Sequence, residues 1–139
     1  MTTAPANVPL LHRFLGIGLV VVASALASLR YRGIAPTLSP DSILPAAYML
    51  SGFCGMLVAV ALFILKPRVP DRRPHQSVEA YWSAPEVGAK VFLVWFVMDS
   101  AGMMAAVGYF LTGQLVSAVA MGLAIVAFWL CGPSVFEKA

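Results

Sequence analysis

Four apolar runs divide this chain, over residues 14–29, 43–65, 87–111 and 115–131, and each is continuous rather than alternating. Continuous runs can satisfy their backbone groups within one helix, whereas a barrel strand would alternate apolar and polar positions. A helix needs about 20 residues to cross the hydrocarbon layer. The two middle runs meet that length. The outer two are marginal: the first reaches it by borrowing residues 8–11 or by letting Arg13 and Arg30 snorkel to the interface. The pattern predicts an all-α integral membrane protein, a bundle of about four transmembrane helices arranged as two antiparallel hairpins. The helices fall at about residues 9–30, 43–65, 86–111 and 115–132, with a loop over 66–85, in one transmembrane domain covering 1–139.

The polar punctuation supports these limits. Pro67, Pro70 and Pro74 follow the second run and stop it, because proline removes a donor and clashes with the preceding turn. Ser83-Ala84-Pro85-Glu86 reads as a capping box opening the third helix, with Ser83 accepting from the Glu86 amide. Thr112-Gly113-Gln114 reads as a tight turn that makes an antiparallel hairpin of helices three and four. Arg13, an apolar stretch and then Ala25-Leu26-Ala27 resemble a cleavable leader; the first run is taken here as a retained span. There is also a faint internal echo. Ser51, Leu57, Val60, Ala61, Pro67 and Val69 recur 66 positions later as Ser117, Leu123, Val126, Ala127, Pro133 and Val135. A duplicated hairpin would make helices two and four parallel equivalents.

Composition agrees with the pattern. The chain is 60% hydrophobic and 11% charged, where a soluble domain carries roughly a quarter charged residues. The formal net charge of +3 is not spread evenly. Arg13, Lys66, Arg68, Arg72, Arg73, Lys90 and Lys138 belong to the side of the membrane that would hold both termini and the central loop; only Arg30 and Arg32 belong to the other. That asymmetry predicts both termini in the cytoplasm, and a bacterial cytoplasmic (inner) membrane as the setting. No basic, aromatic-studded soluble surface exists to bind nucleic acid. Tyr81 and Trp82 suit a short segment resting at headgroup level on the basic side.

One residue breaks the apolar pattern in an informative way. Asp99 falls near the midpoint of the third run, followed by Ser100, with Ser24 of the first run at similar depth. An aspartate at mid-helix costs about 2.5–3.5 kcal/mol on insertion scales, so its side chain is expected to face protein or water. No Lys, Arg or His of the chain reaches that depth. Asp99 is therefore either protonated and bonded to a hydroxyl or carbonyl, paired with a cation of a partner, or placed on an ion or proton pathway. Small residues four apart (Ala23 and Ala27, Ser51, Gly55 and Ala59, Gly102 and Ala106, Ala118 and Gly122) predict close helix packing within the bundle or between copies. Lys66, Arg68, Arg72 and Arg73, with Tyr81 and Trp82, form a candidate surface for lipid headgroups or an acidic partner.

Little else carries chemistry. Cys54 and Cys131 lack a CxxC neighbour and read as small apolar side chains. His12 and His75 flank apolar runs, a poor arrangement for haem. The chain has no nucleophile–base pair, no paired carboxylates and no phosphate loop, and neither a metal nor a cofactor is expected. These features favour a non-catalytic accessory or assembly subunit of a larger membrane complex, its partners being the bilayer and other integral membrane subunits or further copies of itself. The alternative is a small homo-oligomeric transporter or channel with Asp99 in the ion or proton pathway.

Overall fold

A computed structural model describes residues 7–138; residues 1–6 and 139 of the domain lie outside the described residues. Helix α1 runs Asn7–Tyr31 and ends where Gly33 takes a positive φ of 75°. Helix α2 starts at Pro40, a residue suited to a first turn because its missing amide donor is not needed there. It passes from Ala59 through the wide π turn Val60–Leu65 into the 3-10 turn Lys66–Arg68. The short helix α3 covers Val78–Trp82, α4 covers Pro85–Thr112 and α5 covers Leu115–Leu130, followed by a 3-10 turn Pro133–Val135.

Three of these elements, Asn7–Tyr31, Pro40–Arg68 and Pro85–Thr112, are long and apolar enough to cross a membrane, and α5 is a shorter apolar helix. The chain is an integral membrane protein, a bundle of four main helices in contact with lipid. Phe14, Ile17, Tyr48, Phe63 and Leu130 project outward from it, as side chains bathed by acyl tails would.

Two local expectations need adjustment. The second span reaches Arg68 rather than stopping at 65, since its last turns widen and then tighten instead of breaking. The capping box does not form. Ala84 is the N-cap of α4 and makes no side-chain bond, while Ser83 closes α3 and returns its hydroxyl to the Glu79 carbonyl at 2.7 Å. The serine that caps a helix here is Ser77, whose Oγ accepts from the Ala80 amide at 3.1 Å. One turn of helix between Ser77 and Ser83 consumes the serine that the capping box required.

Helix α4 is the hub, docked against α1, α2 and α5, whereas α1 and α2 scarcely meet. Its buried positions Val91, Val94, Trp95, Met98, Ala101, Gly102, Ala105 and Ala106 fill a broad arc toward its three neighbours. His12 lies against Trp95, and a Cβ on Gly102 would stand 2.8 Å from Leu19. Both contacts advance by seven residues on each helix, so α1 and α4 run parallel. Ser51 faces Ser117, with their hydroxyls 3.4 Å apart, and Cys54 faces the Ala120 carbonyl at 3.8 Å. Helices α2 and α5 are thus also parallel, and each contact joins residues 66 apart, the offset of the sequence echo.

Candidate functional site: the seam between α1 and α4

The seam is held at both ends. At one end α4 stops at Gly113, whose φ of 64° lets its amide close on the Tyr109 carbonyl at 2.7 Å. The guanidinium of Arg30, in the last turn of α1, donates to the carbonyls of Phe110, Leu111 and Thr112 at 3.3–3.4 Å. A cation at the negative end of a helix is favourable, and these carbonyls have no intrahelical donor. Arg30 therefore ties the two parallel helices together, whereas the sequence suggested only that it snorkels to the interface.

At the other, basic end the anchor is His12, a residue that sequence reasoning placed at a flank. It is 4% exposed. Its ring stacks on Phe128 with centroids 4.6 Å apart, tilts against Trp95 at 4.8 Å and meets the edge of Trp129 at 5.7 Å. Nε2 lies 3.1 Å from the Phe128 carbonyl, so Nε2 carries the hydrogen and donates. The Trp95 indole donates to the Cys131 carbonyl at 2.8 Å, satisfying another acceptor at the end of α5. The signal was present in the sequence: His12, Gly16, Leu19 and Ala23 share one helical strip, and all four are buried.

Tyr81 and Trp82 also lie at this end, but both are buried against protein rather than spread over a headgroup surface. The Tyr81 hydroxyl donates to the Pro70 carbonyl at 2.9 Å, and the Trp82 indole donates to a Glu137 carboxylate oxygen at 2.9 Å. Burial pushes the Tyr81 phenol above its ordinary value, with Asp71 and Glu137 adding to the rise. The two aromatics fasten the central loop and the C-terminal segment to the bundle.

At the basic end, around and beyond the His12–Trp95 contact, the seam opens into an apolar groove of about 410 Å³. Leu10, Leu11 and Phe14 of α1 form one wall, and Gly88, Phe92 and Trp95 of α4 form the other. Gly88, Phe92, Trp95 and Asp99 fall on a single helical strip with spacings of four, three and four residues. Asp99 is thus the next position beyond the groove. It is half-buried, and its Oδ1 is buried with no hydrogen-bond partner among the described residues.

The other polar residues at this depth do not meet it. Ser100 donates to the Phe96 carbonyl of its own helix at 2.8 Å, and Ser24 is exposed on α1, its carbonyl accepting from Ser28. Among the described residues, no three His, Cys, Asp or Glu side chains converge closely enough to hold a metal ion. Of the basic residues, Arg68 and Arg73 are exposed, and Lys66 and Arg72 are half-buried. No protein-family model, curated protein or solved structure matches the chain.

Proposed function

We propose that this chain is a non-catalytic, membrane-embedded assembly subunit whose α1–α4 seam receives a transmembrane helix of a larger complex. The observation that carries this reading is Asp99, a carboxyl group at mid-span with a buried oxygen that none of the described residues satisfies. An unmade hydrogen bond on a buried polar group costs about 1–3 kcal/mol, and a donor that met the half-exposed carboxyl group from outside, with a rotation of the side chain, would remove that cost. The strip leading to Asp99 is apolar and open at the side, a shape that suits a helix laid along the seam more than a small polar solute.

Gentle detergent extraction followed by native mass spectrometry tests this. The wild-type chain should emerge with other integral membrane polypeptides in fixed ratio. Asp99→Asn keeps shape and hydrogen-bonding capacity but removes the charge, so an assembly built on an ion pair should loosen. A lone homo-oligomer that survives Asp99→Asn intact but loses ion or proton flux would favour the transporter reading instead.

We also infer a bacterial cytoplasmic membrane with the basic end in the cytoplasm, on the strength of the seven-to-two division of Lys and Arg. Thiol labelling from outside intact cells should mark Thr37→Cys, in the loop after α1, and spare His75→Cys. Labelling of His75→Cys alone would reverse the orientation.

A further inference from the structure

The basic residues after α2 continue its helical path, because the π turn Val60–Leu65 leads directly into Lys66–Arg68. They therefore begin where the apolar surface ends. The segment that follows is folded. Val69 is buried, the Pro70 carbonyl accepts from Tyr81, and Arg72 Nη1 donates to the Gln76 carbonyl at 3.2 Å. The Gln76 side-chain oxygen accepts from the Arg73 amide at 3.3 Å, and Ser77 then caps α3.

These bonds sort the cations into two groups. Lys66 and Arg72 are half-buried; Lys66 lies beside Asp71, Tyr81 and Phe136, and Arg72 bonds the loop itself. Arg68, Arg73 and His75 are exposed, and Arg73 and His75 border a shallow crevice with Pro74 and Gln76. The ion pair among the described residues is Lys90 with Glu86, so none of the described residues pairs a carboxylate with Arg68 or Arg73.

We propose that Arg73, with His75 beside it in the crevice, and Arg68 at the end of the second span engage the headgroup phosphates of anionic membrane lipids. Three features support that occupant. The surface lies immediately beyond a membrane span, at the depth where headgroups are concentrated. The loop is already ordered by its own bonds, so little conformational freedom is lost on binding. Guanidinium groups match phosphate oxygens in geometry as well as charge. An acidic protein could use the same charges, but the end of a span meets lipid in every membrane.

The test is the association of spin-labelled lipids with the full chain in phosphatidylcholine bilayers. Electron paramagnetic resonance measures the motionally restricted fraction of labelled phosphatidylglycerol against labelled phosphatidylcholine. The wild type should favour phosphatidylglycerol by roughly five-fold per engaged cation, less in high salt. Arg68→Gln/Arg73→Gln should abolish most of that preference. Arg68→Lys/Arg73→Lys, which keeps the charge but not the fork geometry, should retain an intermediate preference, and Arg32→Gln at the opposite end should leave it unchanged. Equal association of the two lipids with the wild type would overturn the proposal, leaving the charges to topology or to an acidic protein. So would a preference that persists in the double glutamine variant while both variants remain helical by circular dichroism.

Discussion

Gly113 and Tyr81 show how much single residues decide at the two ends of the bundle. Gly113 combines a left-handed backbone with close approach: an added Cβ would lie 2.7 Å from Arg30 Nη2. Gly113→Ala should cost about 1–2 kcal/mol from backbone conformation alone, and more once Arg30 is displaced from the α4 carbonyls. Thermal unfolding in detergent should show a lowered midpoint, and an unchanged midpoint would mean that Arg30 does not tie α1 to α4. Tyr81 carries a pH dependence. Its folded-state value is raised above the ordinary 10.0, so the unfolded chain ionises first. Stability tied to Tyr81 is full below that value and is lost as pH rises through the folded value. Tyr81→Phe should lower stability at neutral pH by about 0.5–1.5 kcal/mol through the lost bond to Pro70, and should flatten the alkaline decline. A variant that declines as steeply as the wild type would remove Tyr81 from that role. Residues of this kind were hard to read in advance. Arg30 read as a helix-end cation that snorkels to the interface, and its acceptors could not be foreseen because they lie 80–82 positions away, at the end of a different helix.

Element boundaries were more legible than element contacts. Apolar run length and proline placement locate the four main helices because the bilayer enforces both, and the Thr112-Gly113-Gln114 turn forms as read. The capping box failed because Ser77 and Ser83 bracket a turn of helix that no apolar periodicity announces. Helix pairing was only partly visible: small residues mark close approach without saying which neighbour approaches. The stripe Gly102–Ala106 turns inward, and Leu19 sits over Gly102. Gly55 and Gly122, by contrast, face open space. Overpacking a well-fitted contact costs about 1–3 kcal/mol, so Gly102→Val should loosen α1 from α4, while Gly55→Val should be tolerated. Disulfide formation between Leu19→Cys and Gly102→Cys would report the intended contact directly. Its absence under oxidising conditions would contradict the parallel α1–α4 packing.

At the scale of the whole molecule, the basic end is knit by His12, Trp95, Tyr81 and Trp82, and the opposite end by Arg30. The middle is left with one carboxyl group, Asp99, whose buried oxygen has no donor among the described residues. The isolation of Asp99 was legible in the sequence, because no basic residue reaches its depth. Its neighbours were not, because Ser24 and Ser100 share its depth while pointing elsewhere. The groove was also invisible beforehand, since it depends on α1 and α4 being parallel and meeting at His12 and Trp95. The central claim is that this seam holds a partner's helix at Asp99, and a photocrosslinking side chain at Phe96, exposed one turn away, tests it in native membranes. We expect a discrete protein adduct from position 96, weakened by Asp99→Asn, with only lipid adducts from a control probe at the outward-facing Phe63. Lipid adducts alone from position 96, unaffected by Asp99→Asn, would contradict the account.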